Sequence, residues 1–354
     1  MEEKGAYLII SDVHLGSDEC NHKELCDFLE WIRDLENQPK TVKCQDKEVT
    51  IKIPYKIILL GDIFELWNPK DLDKDNIIKD LIRPFSLLSD INCDKIYVAG
   101  NHDDSLGELE RKVDLEILHN GTRFNSYNRH YPKKDSKSGI VSGLKIGNRS
   151  YFFLHGHQFD KSQAVLIYIS KFLGEQWDPI DWIQQLFNIT FTRNYWKTNF
   201  VIFLGLMFGE YFLWNGLLQS SFWVIVALSM INGFFAFSSI PGIVAHAQAS
   251  IYNSTKPIHK TAEEVIKSGH YQERKDTIDA EVVVFGHTHF ASSYELQSEA
   301  RKKLFLNSGC WVGTDAELNG KRRYINTFMY LNESGAYILK WHGSGKIYCI
   351  EAFT

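Results

Sequence analysis

The chain has 354 residues, 44% of them hydrophobic, and a formal charge of -5. That length holds one large domain or two modest ones, with ample material for a core. The acidic balance and the lack of a basic run argue against nucleic acid as the main partner. Six cysteines (Cys20, Cys26, Cys44, Cys93, Cys310 and Cys349) form no CxxC pair and show no disulfide framework. They read as reduced thiols rather than three disulfides. The N-terminal residues Met-Glu-Glu-Lys-Gly lack the apolar core of a signal peptide, so the catalytic part is expected not to be exported.

Residues 7–10 form the first strand-like run. A helix is expected over 23–35, where Leu25, Phe28, Leu29 and Ile32 recur at helical spacing. Residues 41–54 read as a charged excursion of hairpin type. A second strand, 57–60, reaches Asp62, a helix follows near 75–89, and a third strand, 96–99, reaches Asn101. Alternation of this kind implies a largely parallel sheet flanked by helices, with ligands gathering beyond the carboxyl ends of the strands. From Ser142 the pattern changes. Residues 144–146 and 150–154 flank Gly147-Asn148, a hairpin signal. An apolar run at 282–285 follows much later. Near the end, 327–331, 336–341 and 346–352 alternate between Gly-containing turns as a β-meander. Two sheets packed face to face, with helices outside, accommodate this order.

Residues 199–255 differ from the rest, with Glu210 their only formal charge. They split into 200–218 and 222–244, joined by Gln219-Ser220-Ser221, and each half is about the ~20 residues that span a bilayer. Gly205 and Gly209 have the small-xxx-small spacing that lets a partner helix approach closely. Arg193 and Lys197 precede the pair, and Lys256, His259 and Lys260 follow it, which suits a membrane hairpin with both ends cytoplasmic. Trp177, Trp182, Tyr195 and Trp196 lie upstream as an interfacial belt would. Shallow or re-entrant association, and a soluble lid of two buried helices, are the alternatives. The expected division is 1–192 and 256–354 as two parts of one domain, with 193–255 inserted between them.

Five short motifs each end an apolar run: Asp12-Val13-His14, Gly61-Asp62, Gly100-Asn101-His102-Asp103, His155-Gly156-His157 and Gly286-His287-Thr288-His289. Alone, each is weak; five in order are a strong signal. Asp12, His14, Asp62, Asn101, His155, His287 and His289 are too many ligands for one ion. They suit two ions roughly 3.5–4 Å apart, with Asp62 as the bridge. Nitrogen and oxygen donors without thiolate favour Mn²⁺, Fe²⁺ or Zn²⁺ over Ca²⁺ or a structural zinc–thiolate site, and two Mn²⁺ ions are the expected pair. In extended backbone, residues i and i+2 point the same way, so both members of each DxH or HxH pair can reach one cluster. Glu65 reads equally as a support for a ligand histidine or as an exposed helix-start carboxylate. Cys310 reads as a small packed residue. His157 either supports a ligand or touches substrate.

These motifs resemble the calcineurin-like metallophosphoesterase superfamily. The runs Gly61-Asp62-Ile63-Phe64-Glu65-Leu66-Trp67 and Asn307-Ser308-Gly309-Cys310-Trp311 are most similar to UDP-2,3-diacylglucosamine diphosphatases. The resemblance implies a two-sheet αββα sandwich, here with the apolar hairpin inserted where relatives carry a helical lid that grips acyl chains. It implies Asp12, His14, Asp62 and His289 on one ion, and Asp62, Asn101, His155 and His287 on the other. It further implies His102 as proton donor or phosphate contact, oriented by Asp103. Two departures bear on the substrate: His157 stands where those enzymes have aspartate, and His102 where they often have arginine.

The resulting expectation is a membrane-anchored phosphohydrolase on the cytoplasmic face, held by residues 199–245. Its substrate would be a phosphorylated lipid or a nucleotide-diphosphate lipid, cut at a phosphodiester or pyrophosphate bond. A phosphodiesterase or phosphatase for a soluble nucleotide or phosphoprotein is the alternative within enzymes. A non-catalytic metal-binding scaffold is the rival outside them.

Overall fold

A computed structural model describes residues 5–65, 74–103, 124–127, 130–132, 140–157, 196–216, 226, 228–236, 277–297, 302–318 and 321–354. The chain divides into two compact units, Met1–Asp160 with Pro257–Thr354, and Lys161–Lys256.

The first unit opens with β1 (Tyr7–Ile10), α1 (His22–Asp34), β2 (Lys40–Cys44), β3 (Lys47–Ile51), β4 (Lys56–Leu60), α2 (Lys74–Asp90) and β5 (Asp94–Val98). Short strands follow: β6 (Phe124–Tyr127), β7 (His130–Tyr131), β8 (Ile140–Ser142), β9 (Leu144–Ile146) and β10 (Arg149–Leu154). After the second unit come β11 (Thr277–Asp279), β12 (Val282–Phe285), β13 (Ser292–Gln297), β14 (Lys302–Asn307), β15 (Ala316–Leu318) and β16 (Lys321–Arg323). The chain ends with β17 (Thr327–Asn332), β18 (Gly335–Trp341) and β19 (Ile347–Phe353).

A seven-stranded sheet runs β19-β18-β17-β1-β4-β5-β6, and a six-stranded sheet runs β13-β14-β12-β10-β7 with β9 against β10. β1, β4, β5 and β6 are parallel to one another, as are β10, β12 and β14. The C-terminal meander joins the first sheet antiparallel to β1. Gly147 takes a positive φ of 57° in the β9–β10 turn, a conformation glycine adopts without steric cost.

Alternation along the strands separates two cores. Leu8, Ile10, Ile57 and Leu59 pack with Leu25, Phe28, Leu29 and Ile32 of α1 and Phe85 and Leu88 of α2. Tyr7, Ile9, Ile58 and Leu60 pack with Tyr151, Phe153, Val282 and Val284, so the two sheets share one core. Strands covered on both sides are apolar along the covered length, which is why β1, residues 57–60 of β4, and β12 read as hydrophobic runs. The mixed α/β expectation holds, whereas the helical layer expected outside the second sheet lies outside the described residues.

The reduced-thiol reading fails at one pair. Cys44 and Cys349 form a disulfide across a sequence separation of 305, tying the β2–β3 hairpin to β19. Nothing local could signal it, because the meander that carries Cys349 reaches the hairpin only through the fold.

In the second unit, α3 spans Trp196–Gly216, and residues 228–236 are also helical. Asn232 Nδ2 donates to Glu210 Oε2 at 3.2 Å, so the lone charge of this stretch turns toward the other helical segment. Val201, Phe208 and Tyr211 of α3, with Met230 and Phe234, are exposed instead. Among the described residues, a Cβ added at Gly205 or Gly209 meets nothing within 4 Å, so no close helix approach is seen at either. Among the described residues no helix is long and apolar enough to cross a membrane, so the expected spanning hairpin finds no support there. The second expected span, 222–244, is described only at 226 and 228–236, and its downstream basic flank lies outside the described residues.

Candidate metal centre

The loops after β1, β4 and β5 in one sheet, and after β10 and β12 in the other, bring their side chains together. Asp12, His14 and His289 form one group of close donor atoms, and Asp62, His155 and His287 form another. In the first, His289 Nε2 lies 3.3 Å from both Asp12 Oδ1 and His14 Nε2. In the second, His155 Nε2 lies 3.0 Å from Asp62 Oδ2. The same Asp62 oxygen is 3.9 Å from His14 Nε2, so one carboxylate oxygen faces a nitrogen of each group.

The backbone that makes this convergence is not extended. Asp12, His14, Asp62, His287 and His289 all take φ between 50° and 66°. The i, i+2 explanation for these pairs is therefore replaced by alternating left-handed residues. Such a conformation costs a non-glycine residue about 1–2 kcal/mol, although Asp and His tolerate it better than most. Strain concentrated on these donors is characteristic of a site whose surroundings hold it in place.

The surroundings are visible. Asp12 accepts from the His287 amide at 2.9 and 3.0 Å, and its carbonyl accepts from the Trp311 amide at 3.0 Å. Ser11 Oγ donates to Asp12 Oδ2 and lies 2.7 Å from Ser308 Oγ. Asn307 Nδ2 donates to the Gly286 carbonyl at 2.6 Å and to Thr288 Oγ1 at 2.9 Å, fixing the loop that carries both C-terminal histidines. His155 Nδ1 donates to the Leu60 carbonyl at 3.0 Å, which leaves Nε2 as its ligand atom.

Glu65 is the support that the sequence left undecided. It is buried, with Oε2 2.8 Å from His14 Nδ1 and Oε1 2.9 Å from His102 Nδ1. Asp103 does not take the expected orienting role; the carboxylate on the His102 ring is Glu65. Asp103 accepts from the Gly100 amide at 2.6 Å, the Ile63 amide at 2.7 Å and the Tyr97 hydroxyl, clamping the loops after β4 and β5 together. Ser11 and Ser308 were not singled out from sequence. The signal available for them was adjacency to Asp12 and membership of the Asn307–Trp311 run. His157 stands with its ring 5.6 Å from His155 and 6.3 Å from His287, beside the second group. Cys310 is fully buried and its thiol is pushed up by burial, as a packed residue should be.

A model of the calcineurin-like phosphoesterase family matches residues 6–291. The chain belongs to the calcineurin-like phosphoesterase family. It is accordingly a metal-dependent phosphoester hydrolase. A comparison with curated proteins finds no match.

Divalent ions fit the donor set of this calcineurin-like phosphoesterase. Asn101 Oδ1 is buried and accepts no hydrogen bond from the described residues, although a buried amide oxygen left unmatched is costly. It stands next in sequence to His102, whose amide donates to Asp62 Oδ1 at 2.8 Å. Packing carboxylates and imidazoles this closely also sets their charges. Burial opposes ionisation of Asp62, but His155 and His102 outweigh it and hold the carboxyl well below its ordinary range. Burial likewise opposes charge on His155 and His102. The Asp62 carboxylate overcomes it at both, pushing His155 up to about 10 and, together with Glu65, His102 up to about 9.

Proposed function

We propose that this phosphoesterase hydrolyses a phosphodiester or pyrophosphate bond in a lipid-linked substrate, with a nucleotide-diphosphate lipid preferred. Two divalent ions, manganese first, would be held by Asp12, His14, Asp62 and His289, and by Asp62, Asn101, His155 and His287. The observation that carries this reading is the Asp62 oxygen facing both donor groups, the position of a bridging ligand. When bound, such ions make water a stronger acid and neutralise phosphoryl oxygens.

The remaining work falls to the chain. His102 sits at the rim with a quarter of its side chain exposed, and Glu65 fixes its ring through Nδ1. Its other nitrogen, Nε2, is the atom that would donate to a phosphoryl or departing oxygen. The lipid component is supported by resemblance and by the exposed apolar side chains of α3, which suit an acyl chain or a membrane surface.

Asp62→Asn and His287→Ala are each expected to abolish manganese-dependent hydrolysis. His102→Ala should lower turnover about 10²- to 10⁴-fold while metal content stays intact. Loss of metal in His102→Ala would overturn its assignment. Faster cleavage of small diesters than of detergent-dispersed nucleotide-lipid would overturn the lipid preference.

A further inference from the structure

Arg323 lies beside the first donor group and has no part in it. It ends β16 and is half-buried. Nη2 donates to the Val312 carbonyl at 3.2 Å and lies 3.5 Å from the Cys310 sulfur. That sulfur is 3.6 Å from the His289 carbonyl oxygen, so one small side chain separates the guanidinium from a candidate metal ligand. Nε is buried with no hydrogen-bond partner. Among the described residues Arg323 makes no ion pair. Ala316 is its partner across the hairpin, and the neighbouring carboxylate, Asp315, gives its oxygens to Lys340 at 2.6 and 2.5 Å.

A half-buried guanidinium is normally balanced by a carboxylate, because its desolvation is otherwise uncompensated. Its planar fork of donors matches the oxygens of a phosphate.

We infer that Arg323 receives the second phosphoryl group of a diphosphate substrate, the one adjoining the scissile phosphorus, on the His289 side of the centre. The inference rests on the diphosphate form of the reading above and sharpens it, since a single-phosphate diester has no group to offer this arginine.

The test compares manganese-loaded wild type, Arg323→Gln and Arg323→Lys on a nucleoside diphosphate ester and on bis(4-nitrophenyl) phosphate. Inorganic pyrophosphate and inorganic phosphate serve as competing inhibitors, and bound metal is measured for each protein. Arg323→Gln should raise KM for the diphosphate ester and Ki for pyrophosphate by about 10- to 100-fold, the range of a charged hydrogen bond. Turnover of the diester, Ki for phosphate and metal content should stay within about twofold of wild type, since no ligand is touched. Arg323→Lys should recover part of the pyrophosphate affinity, and it keeps the test open should the glutamine variant not fold. Equal weakening of phosphate and pyrophosphate, or no change in either, would overturn the inference. If wild type splits only the single-phosphate diester, the diphosphate reading fails by itself. The ratio of pyrophosphate to phosphate inhibition then still decides what Arg323 binds.

Discussion

Gly100 and Gly286 take ordinary φ values, yet neither position has room for a methyl group. A Cβ at 100 would collide with Asp62 Oδ1, and one at 286 with Asp12 Oδ2 and Ser11 Oγ. Close approach of backbone to ligand, not backbone freedom, explains glycine at both sites. Gly286→Ala is therefore expected to weaken metal binding by about 10- to 100-fold, read by titration with Mn²⁺, and Gly100→Ala to do so with an added loss of stability, because its Cβ also meets the Asp62 backbone nitrogen. His155 makes a second prediction. Its imidazole stays protonated up to about 10 with only protein groups around it, and it must lose that proton to bind a cation. Metal affinity should therefore fall as pH drops. Calorimetry in buffers of different ionisation enthalpy should detect proton release on loading at pH 8, and its absence would count against His155 as a ligand.

At the scale of elements, α1 is held by aromatic packing. Phe28 has ring centroids of Trp311, Phe328 and Trp341 at 4.9, 4.8 and 5.5 Å, linking the helix to the strands of the meander. Phe28→Ala should cost about 3–5 kcal/mol, measured by urea denaturation, because nothing nearby can fill the space. The disulfide between the β2–β3 hairpin and β19 closes a long loop, and its removal by Cys349→Ala should cost about 2–4 kcal/mol by the same measurement. The helix was legible in sequence because its apolar positions repeat every three or four residues. The meander was legible because its strands alternate and glycine separates them. The disulfide was not, because cysteine spacing carries no information on a contact made between distant strands.

For the molecule as a whole, the two-unit division separates chemistry from the apolar stretch. All seven candidate ligands belong to the first unit, and α3 belongs to the second. Replacing Val201, Phe208 and Tyr211 together by serine should slow cleavage of detergent-dispersed nucleotide-lipid. Cleavage of a small diester should remain within about twofold of wild type, because no ligand is touched. Equal losses on both substrates would show that α3 matters to the catalytic unit itself rather than to lipid.

Sequence alone pointed to the residues that gather at the candidate metal centre, because metal donors placed after apolar strands are a local pattern that the chain cannot hide. It also determined the strand–helix alternation, since burial on one face or two writes its own period. The left-handed backbone of the ligands, the turning of Glu65 onto His14 and His102, and the use of Asp103 as a clamp were decided only in three dimensions. Each depends on which loops meet across two sheets, and neighbours brought together by folding leave no spacing in the chain to read.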